Sequence, residues 1–301
     1  MVAVPSVRVG DPITHDRLTV FPLFLEAPLP VNYRLADEAL ADGTAVVEEL
    51  SDSGSVPQLS VRNQNDTYVL FLEGQELRGA KQNRVLNTSV LVAAKTQTVL
   101  PVSCVEQGRW RHVSKTFSST DTHCSPKLRS VLKGSVTRSS RSGGGHGSDQ
   151  GAVWAEVSRQ MSSLNSTSPT MAMADTMAAN KPHMDRAVAE VKYAEGAAGL
   201  AVAVGGKIVA VDLFDSPATC RKLWTQLVSG VALDALEETG TTSPKPSDVK
   251  AALDALRTGP WLAVTPAGAG EEHRAETAGQ WHGSVLTLGG NLVHGSLVTA
   301  V

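Results

Sequence analysis

The stretch Leu200–Leu213 reads LAVAVGGKIVAVDL, and it is the clearest indication of the fold in this chain. Two apolar runs, Leu200–Val204 and Ile208–Leu213, lie on either side of Gly205-Gly206. Adjacent glycines supply the positive φ angles that a tight hairpin turn requires. The stretch therefore predicts two antiparallel strands joined by a two-residue turn.

Similar patterns extend in both directions from this hairpin. Apolar runs bounded by turn-forming residues predict strands at Leu18–Leu25, Thr44–Leu50, Gln58–Arg62, Thr67–Leu72, Val85–Ala93, Thr98–Val105, Trp261–Val264, Trp281–Leu288 and Leu292–Val298. Helical spacing predicts helices at Leu35–Ala41, Leu128–Val136, Ala152–Leu164, Met184–Tyr193, Pro217–Leu236 and Asp248–Arg257. The fifth of these helices is expected to start at a Ser216 cap followed by Pro217.

These elements predict an α+β fold with largely antiparallel sheets, a helical middle section and helices packed on the carboxyl-terminal strands. Short connections between Thr44 and Val105 favour a meander of neighbouring strands. We expect one domain over residues 1–301, divided into a β-rich half at 1–123, a helical section at 124–193 and an α+β half at 194–301. Residues 139–151, rich in glycine and serine, are expected to form a mobile loop.

The composition of the 301 residues, 42% hydrophobic and 19% charged, is that of a globular protein. Met1–Gly10 lacks a signal-peptide pattern, and the best apolar run, Gly196–Gly206, is about half as long as a membrane helix, so we expect a cytoplasmic protein without a membrane anchor. The three widely spaced cysteines are expected to be reduced thiols. No cofactor is predicted, no spacing supports a divalent metal, and nothing indicates the oligomeric state.

A dense polar segment, Glu73–Arg84, reads EGQELRGAKQNR between the apolar runs Tyr68–Leu72 and Val85–Ala94. It is too long for a plain hairpin turn and carries cations, carboxamides and carboxylates close together. We therefore expect this segment to form part of a ligand site.

A second string, Pro101–Trp110, reads PVSCVEQGRW and takes an apolar strand into a polar end. If the two strands on either side of the connection pair, this polar end lies beside the first segment. Strand alternation places Cys104 and Glu106 on one face. Cys104 is either an inert buried thiol or a nucleophile activated by nearby positive charge.

These strings supply the candidate site residues. The catalytic candidates are Glu73, Glu106, Cys104 and His294, and the ligand-binding candidates are Glu76, Lys81, Gln82, Asn83, Arg84, Gln107, Arg109 and Trp110. The cations would hold a diphosphate, the carboxamides would contact ribose or base edges, and the Trp110 ring would stack on a base. His294 would act as a general acid or base only if the fold brings it near Glu73 or Glu106. The structural alternative is that Glu73, Lys81–Arg84 and Glu106–Trp110 form a buried ion-pair network that fixes strand register.

The strings Leu72–Arg84 and Pro101–Trp110 together resemble the ARG-and-rhodanese-phosphatase-superfamily-associated protein domain family. The resemblance extends more loosely through Asp212-Leu213-Phe214 to the strands around His294. The family is named for its association with ADP-ribosylglycohydrolases and phosphatase-like enzymes, which implies NAD-derived or ADP-ribose-related metabolism. The leading hypothesis is therefore binding of an ADP-ribose-like phosphorylated nucleotide, with hydrolytic processing of that ligand left open.

The alternative hypothesis is a non-enzymatic nucleic-acid-binding or regulatory module. Residues 109–141 contain eight Lys or Arg side chains against one carboxylate, Asp121. Clustered cations of this kind attract phosphates. The net charge of −3 for the whole chain counts against a dedicated nucleic-acid binder.

Overall fold

The computed structural model describes residues 4–51, 54–240, 242–277 and 279–301. The strands in this part of the chain are β1 Val7–Val9, β2 Ile13–His15, β3 Leu18–Leu25, β4 Tyr33–Leu35, β5 Ala45–Glu49, β6 Gln58–Asn63, β7 Tyr68–Phe71, β8 Gln75–Gly79, β9 Arg84–Leu86, β10 Val90–Val92, β11 Gln97–Cys104, β12 Thr116–His123, β13 Gly199–Val204, β14 Lys207–Phe214, β15 Leu262–Val264, β16 Glu271–Thr277, β17 Trp281–Leu288 and β18 Asn291–Thr299. The helices are α1 Ala36–Ala41, α2 Pro126–Arg141, α3 Gln150–Ser163, α4 Met173–Glu190, α5 Pro217–Glu237 and α6 Pro246–Thr258. The predicted α+β class is confirmed.

The larger sheet has nine strands in the order β1-β3-β13-β14-β18-β17-β16-β15, and β2 also pairs with β3. The predicted hairpin forms β13 and β14 near its centre, with Gly205 and Gly206 at φ 56° and 84° in the turn. Strand β3 pairs antiparallel with β13, so the amino-terminal and carboxyl-terminal parts of the chain share this sheet.

Six further strands close into a barrel in the order β11-β6-β5-β12-β8-β9. Their inward-facing apolar side chains, among them Val47, Leu59 and Leu77, form a separate core. A third, three-stranded sheet places β7 between β10 and β4, with β4 parallel to β7. The barrel brings β9 and β11 side by side and thereby positions both polar strings.

Both faces of the nine-stranded sheet are buried because side chains alternate along each strand. On β13, Leu200 and Val202 belong to the core that contains helix α5, whereas Ala201 and Ala203 belong to the core that contains helix α6. Burial of a leucine-sized side chain contributes about 1.5–3 kcal/mol. Helix α5 begins as predicted, because the Ser216 hydroxyl accepts a hydrogen bond from the backbone N–H of Thr219 and Pro217 follows the cap.

The predicted antiparallel pairings of successive strands are present between β5 and β6, between β7 and β10 and between β9 and β11, but β6 does not pair with β7, which lies in the separate three-stranded sheet. The predicted strand Val85–Ala93 is divided into β9 and β10 by Asn87–Ser89. The side chains of these three residues form hydrogen bonds with Ser103, Glu272 and His294, respectively. The polar segment Glu73–Arg84 contains strand β8 rather than loop alone. Strand β12 was not predicted, because its sequence, TFSSTDTH, lacks an apolar alternation.

Two boundaries in the helical section also differ from the prediction. Helix α4 begins at Met173, although the prediction placed its start at Met184. The prediction was wrong because proline normally interrupts a helix, whereas Pro182 lies inside this one. Helix α2 runs to Arg141, so the glycine-rich loop is limited to residues 142–149. Among the helices described here, none is both long and apolar enough to cross a membrane.

Candidate functional site

The two polar strings meet at one end of the barrel. Strand β9 pairs with β11 so that Arg84 lies opposite Cys104, and the backbone of Val105 donates to the Asn83 carbonyl at 3.1 Å. The expected convergence of the strings is thus confirmed. We call the group that they form the outer cluster; its members are Glu49, Lys81, Gln82, Asn83, Arg84, Glu106, Arg109 and Trp110.

Both oxygens of the Glu106 carboxylate have hydrogen-bond or ion-pair partners. Its Oε2 atom lies 2.6 Å from Nη2 of Arg109 and accepts the Asn83 backbone N–H at 3.1 Å, while Oε1 accepts the Thr170 hydroxyl at 2.9 Å. Burial alone would raise the pKa of Glu106, but these donors outweigh it and lower the pKa below its usual value. Glu106 is therefore an ionised anchor that fixes Arg109 and the turn before β9.

Arg84 is fully buried, yet its guanidinium is only partly satisfied. Nη1 donates to Oε1 of Gln82 at 3.0 Å, whereas Nε and Nη2 have no hydrogen-bond partner among the described residues. Glu49 lies 3.9 Å from Nη2, and its other carboxylate oxygen is also unpaired within the described structure. Burial lowers the pKa of Arg84, as expected for a poorly solvated cation. The sequence analysis missed Glu49, which ends β5 on the far side of the barrel.

The Trp110 ring is 48% exposed and lies next to two cations. Nζ of Lys81 is 5.4 Å and Cζ of Arg84 is 5.8 Å from the ring centroid, within the range of cation–π attraction. Beside this group is an open groove of about 740 Å³, which shares Glu49 with the outer cluster and is otherwise lined by Glu48, Leu50, Ser51, His112, Ser114 and Lys115. An aromatic face and cations thus stand beside solvent-accessible space.

Cys104 lies next to Arg84 but is fully buried. Its Sγ atom is 3.4 Å from the Glu106 carbonyl oxygen, and burial raises the pKa of the thiol. A thiol in this state is protonated at neutral pH and is a poor nucleophile.

We expect the three free cysteines, Cys104, Cys124 and Cys220, to resist alkylation in the folded protein because all are buried with raised pKa values. Titration with an aromatic disulfide reagent should give less than stoichiometric labelling without denaturant and full labelling in guanidinium chloride. Rapid native labelling that Cys104→Ser abolishes would contradict this prediction and would restore Cys104 as a nucleophile.

Two of the four catalytic candidates, Glu73 and His294, lie elsewhere in the molecule. They belong to a buried group of charged and polar side chains between helix α2, the turn after β9 and the large sheet. We call it the inner cluster; its members are Glu73, Ser89, Arg129, Lys133, Asp212, Glu272, Arg274, Ser284, His294 and Ser296, each no more than 6% exposed.

Asp212 and His294 form one end of the inner cluster. Asp212 accepts hydrogen bonds from Nη1 and Nη2 of Arg129 at 2.8 and 2.6 Å, and its Oδ1 lies 3.1 Å from Nε2 of His294. Nδ1 of His294 is 2.9 Å from the Ser89 hydroxyl, which also accepts the Glu73 backbone N–H. The fold thus brings His294 near Glu73, as its predicted acid–base role required.

Glu73 and Lys133 form the centre of the inner cluster, with Nζ 2.6 Å from Oε2 and also 2.6 Å from the Ser284 hydroxyl. Burial would raise the pKa of Glu73, but Lys133 and Arg129 lower it to about 2. Burial lowers the pKa of Lys133 to about 8, assisted by Arg129 and Arg274 against the attraction of Glu73. The shift of Glu73 shows that nearby cations outweigh its burial, whereas the shift of Lys133 is mainly an effect of burial.

The remaining predicted site residues do not join either cluster. Glu76 is buried against the barrel wall, where it accepts hydrogen bonds from Arg78 and Thr122. Gln107 is exposed. The basic stretch 109–141 does not form one surface, because Arg109, Arg129 and Lys133 are buried in ion pairs. Of its other cations, Lys127 pairs with Glu237, and Arg138 and Arg141 both pair with Glu276.

The sequence analysis missed most of the inner cluster, although two signals pointed to it. Asp212 is a single carboxylate inside the apolar strand Ile208–Leu213, and burial of such a group requires a paired cation. Arg129 and Lys133 are spaced i, i+4 beside the buried Leu128 and Leu132, so both cations lie on the core side of α2.

Together the fold and the two clusters define an α+β protein in which a closed barrel packs on a large antiparallel sheet and carries a cationic, aromatic surface at one end. The chain belongs to the ARG and Rhodanese-Phosphatase-superfamily-associated Protein domain family, whose model matches residues 6–298. Neither the curated proteins nor the solved structures include a match to this chain.

Proposed function

We propose that this protein binds an NAD-derived, ADP-ribose-like phosphorylated nucleotide at the outer cluster. The observation that carries the proposal is the half-exposed Trp110 ring with Lys81 and the incompletely bonded Arg84 beside it. Stacking on an aromatic ring suits the base, and guanidinium donors suit a diphosphate. Family membership directs the choice toward ADP-ribose-related ligands, through the association with ADP-ribosylglycohydrolases that its name carries.

Each residue has a distinct role in this proposal. Trp110 stacks on the base and Lys81 contacts the diphosphate, while the buried Arg84 guanidinium beside the ring contributes positive charge to this position. Glu106 and Arg109 hold the turn before β9 in position through their 2.6 Å ion pair. The open groove beside Glu49 offers room for the rest of the ligand.

The geometry at Glu106, the carboxylate of the outer cluster that was a catalytic candidate, favours binding over hydrolysis. A general base needs a carboxylate oxygen that is free to take a proton. Both oxygens of Glu106 already accept hydrogen bonds, and the lowered pKa of Glu106 makes it a weak base. The proposal is therefore a sensor, carrier or regulatory role for the protein, with the nucleotide bound intact.

We expect Trp110→Ala to weaken ADP-ribose binding by about ten- to a hundredfold, because loss of base stacking costs roughly 1–3 kcal/mol. Lys81→Ala should weaken it by a similar factor through loss of a charge-assisted contact. Isothermal titration calorimetry with ADP-ribose, NAD and adenosine gives the dissociation constants. Adenosine, which lacks phosphate, should respond to Trp110→Ala and be insensitive to Lys81→Ala.

The matched control is Lys181→Ala, which removes an exposed lysine that pairs with Asp185 on helix α4. It should leave ADP-ribose binding unchanged. If neither Lys81→Ala nor Trp110→Ala alters the dissociation constant, or if the wild-type protein gives no heat with any of the three ligands, the proposed function is wrong. Recovery of ribose 5-phosphate or AMP from the titration cell would show that the protein hydrolyses the ligand instead of binding it intact.

A further inference from the structure

Arg274 is a fully buried arginine whose terminal nitrogens have no protein hydrogen-bond partner among the described residues. On strand β16, its Nε donates to Oε1 of Glu272 at 2.8 Å, and within the described parts of the chain the guanidinium forms no other ion pair. A buried donor without a hydrogen-bond partner costs about 1–3 kcal/mol of folding free energy, and more if it is charged. Almost all buried donors in native proteins therefore have a partner. The Nη1 and Nη2 atoms of Arg274 are therefore two buried donors that a bound water or a ligand would satisfy.

The surroundings of these two nitrogens select the charge of that partner. Arg129 and Lys133 lie in the same cluster, and together with Arg274 they lower the pKa of Glu73 against the effect of its burial, so the field of these three cations prevails at that carboxylate. A guanidinium fork matches two oxygens of a carboxylate or a phosphate. Because a positive potential adds to this match, an oxyanion is better suited to the position than water.

The inner cluster is closed toward solvent by the loop of residues 142–149. The loop is attached through His146, whose Nε2 lies 2.7 Å from Oε2 of Glu272 and whose carbonyl accepts from Asn87 at 2.9 Å. Gly143 and Gly145 have φ angles of 80° and 65°, and a Cβ atom added at either would meet nothing within 4 Å. The loop thus has two glycines in open space, and it is attached at His146 and at Ser148, whose hydroxyl is hydrogen-bonded to that of Ser103.

We propose that Arg274 binds the oxyanion of a small phosphate- or carboxylate-bearing ligand beneath the 142–149 loop, and that His146 leaves Glu272 to admit it. This site is separate from the outer cluster and independent of the nucleotide proposed there. Its chemistry is that of a two-oxygen anion held by one guanidinium fork, with Lys133 and Arg129 supplying the positive field.

Titration of the intact protein with inorganic phosphate, and separately with acetate, tests the site by thermal shift and calorimetry. One of the two anions should raise the melting temperature to a plateau as its concentration increases. The anion that gives this plateau identifies the ligand group as phosphate or carboxylate. Arg274→Lys keeps the charge but loses the fork, so it should weaken binding at least about tenfold. The exposed Arg257→Lys on helix α6 is the matched control and should bind normally.

The outer cluster also carries cations, so Lys81→Ala distinguishes the two sites. Anion binding that survives Lys81→Ala and is lost in Arg274→Lys supports the inner site, and the opposite pattern overturns it. If Arg274→Lys does not fold, a crystal of the wild-type protein soaked in selenate decides the question. An anomalous peak within hydrogen-bond distance of Nη1 and Nη2 supports the proposal, and ordered water there with no peak refutes it.

Discussion

Asp212→Asn should lower the free energy of unfolding by about 3–5 kcal/mol, because it removes one partner of a buried ion pair and leaves the other uncompensated. Asp212 is 2% exposed and receives two hydrogen bonds from Arg129. Burial would raise the pKa of Asp212, but Arg129 and His294 hold it well below its usual value, so the folded state depends on the charged form. Urea denaturation followed by circular dichroism measures the loss.

The exposed pair Lys181–Asp185 provides the control for this prediction. These side chains are 69% and 60% exposed at i, i+4 spacing on helix α4, and such pairs contribute at most about 0.5 kcal/mol. Asp185→Asn should therefore be nearly neutral. A double variant, Arg129→Met with Asp212→Leu, should be less damaging than Asp212→Asn, because it removes both charges together. Equal effects of Asp212→Asn and Asp185→Asn would show that the inner pair is not desolvated.

The outer cluster was predictable from the sequence because its members are close along the chain. The strands that carry the two polar strings, β9 and β11, are near each other in sequence, with the short strand β10 between them, and strands close along the chain commonly pair. The pairing of β9 with β11 then places Arg84 and Glu106 together. Glu49 could not be predicted, since it reaches Arg84 only through closure of the barrel by β5, β6 and β12.

The inner cluster was not predictable, because its members come from distant parts of the chain. Glu73, Arg129, Asp212, Arg274 and His294 are brought together by the order of β14, β18, β17 and β16 in the large sheet and by the position of α2 against it. Local patterns show that Asp212 needs a cation, but they do not show which one. Long-range pairing decides that choice.

The same distinction applies to the fold. Helices and strands with strong apolar periodicity were placed correctly, and the hairpin Leu200–Leu213 has the predicted turn. Strands β8 and β12 escaped prediction because their sequences are polar, and they are strands mainly because the barrel supplies backbone partners on both sides. Tertiary context overrides local propensity at such positions.

Asp234 is another of the buried carboxyl groups, and it should make the stability of the protein depend on pH near neutrality. On helix α5 it is 2% exposed, and it accepts the Lys127 backbone N–H at 3.0 Å and the Gln160 amide at 2.9 Å. These two neutral donors do not compensate for burial, which raises its pKa to about 7. The group is therefore protonated in the folded state over a range where it is ionised in the unfolded chain.

The sign of the effect follows from this difference. The pKa of Asp234 is about 7 in the folded protein and 3.8 in the unfolded chain, so folding favours the protonated form of this carboxyl group. Stability should fall as pH rises from about 4 to about 7, and the loss should be complete above pH 7. At about 1.4 kcal/mol for each pKa unit, the full loss is about 4 kcal/mol.

Asp234→Asn should remove this pH dependence, because an amide in the same place accepts the Lys127 N–H and pairs with a flipped Gln160 without gaining charge. The difference in unfolding free energy between Asp234→Asn and wild type should shift in favour of the variant by about 2–3 kcal/mol between pH 5 and pH 8. Urea unfolding at both pH values measures it, with the exposed Asp185→Asn as the control. A difference that is the same at both pH values would mean that Asp234 ionises within the folded protein at its ordinary pKa.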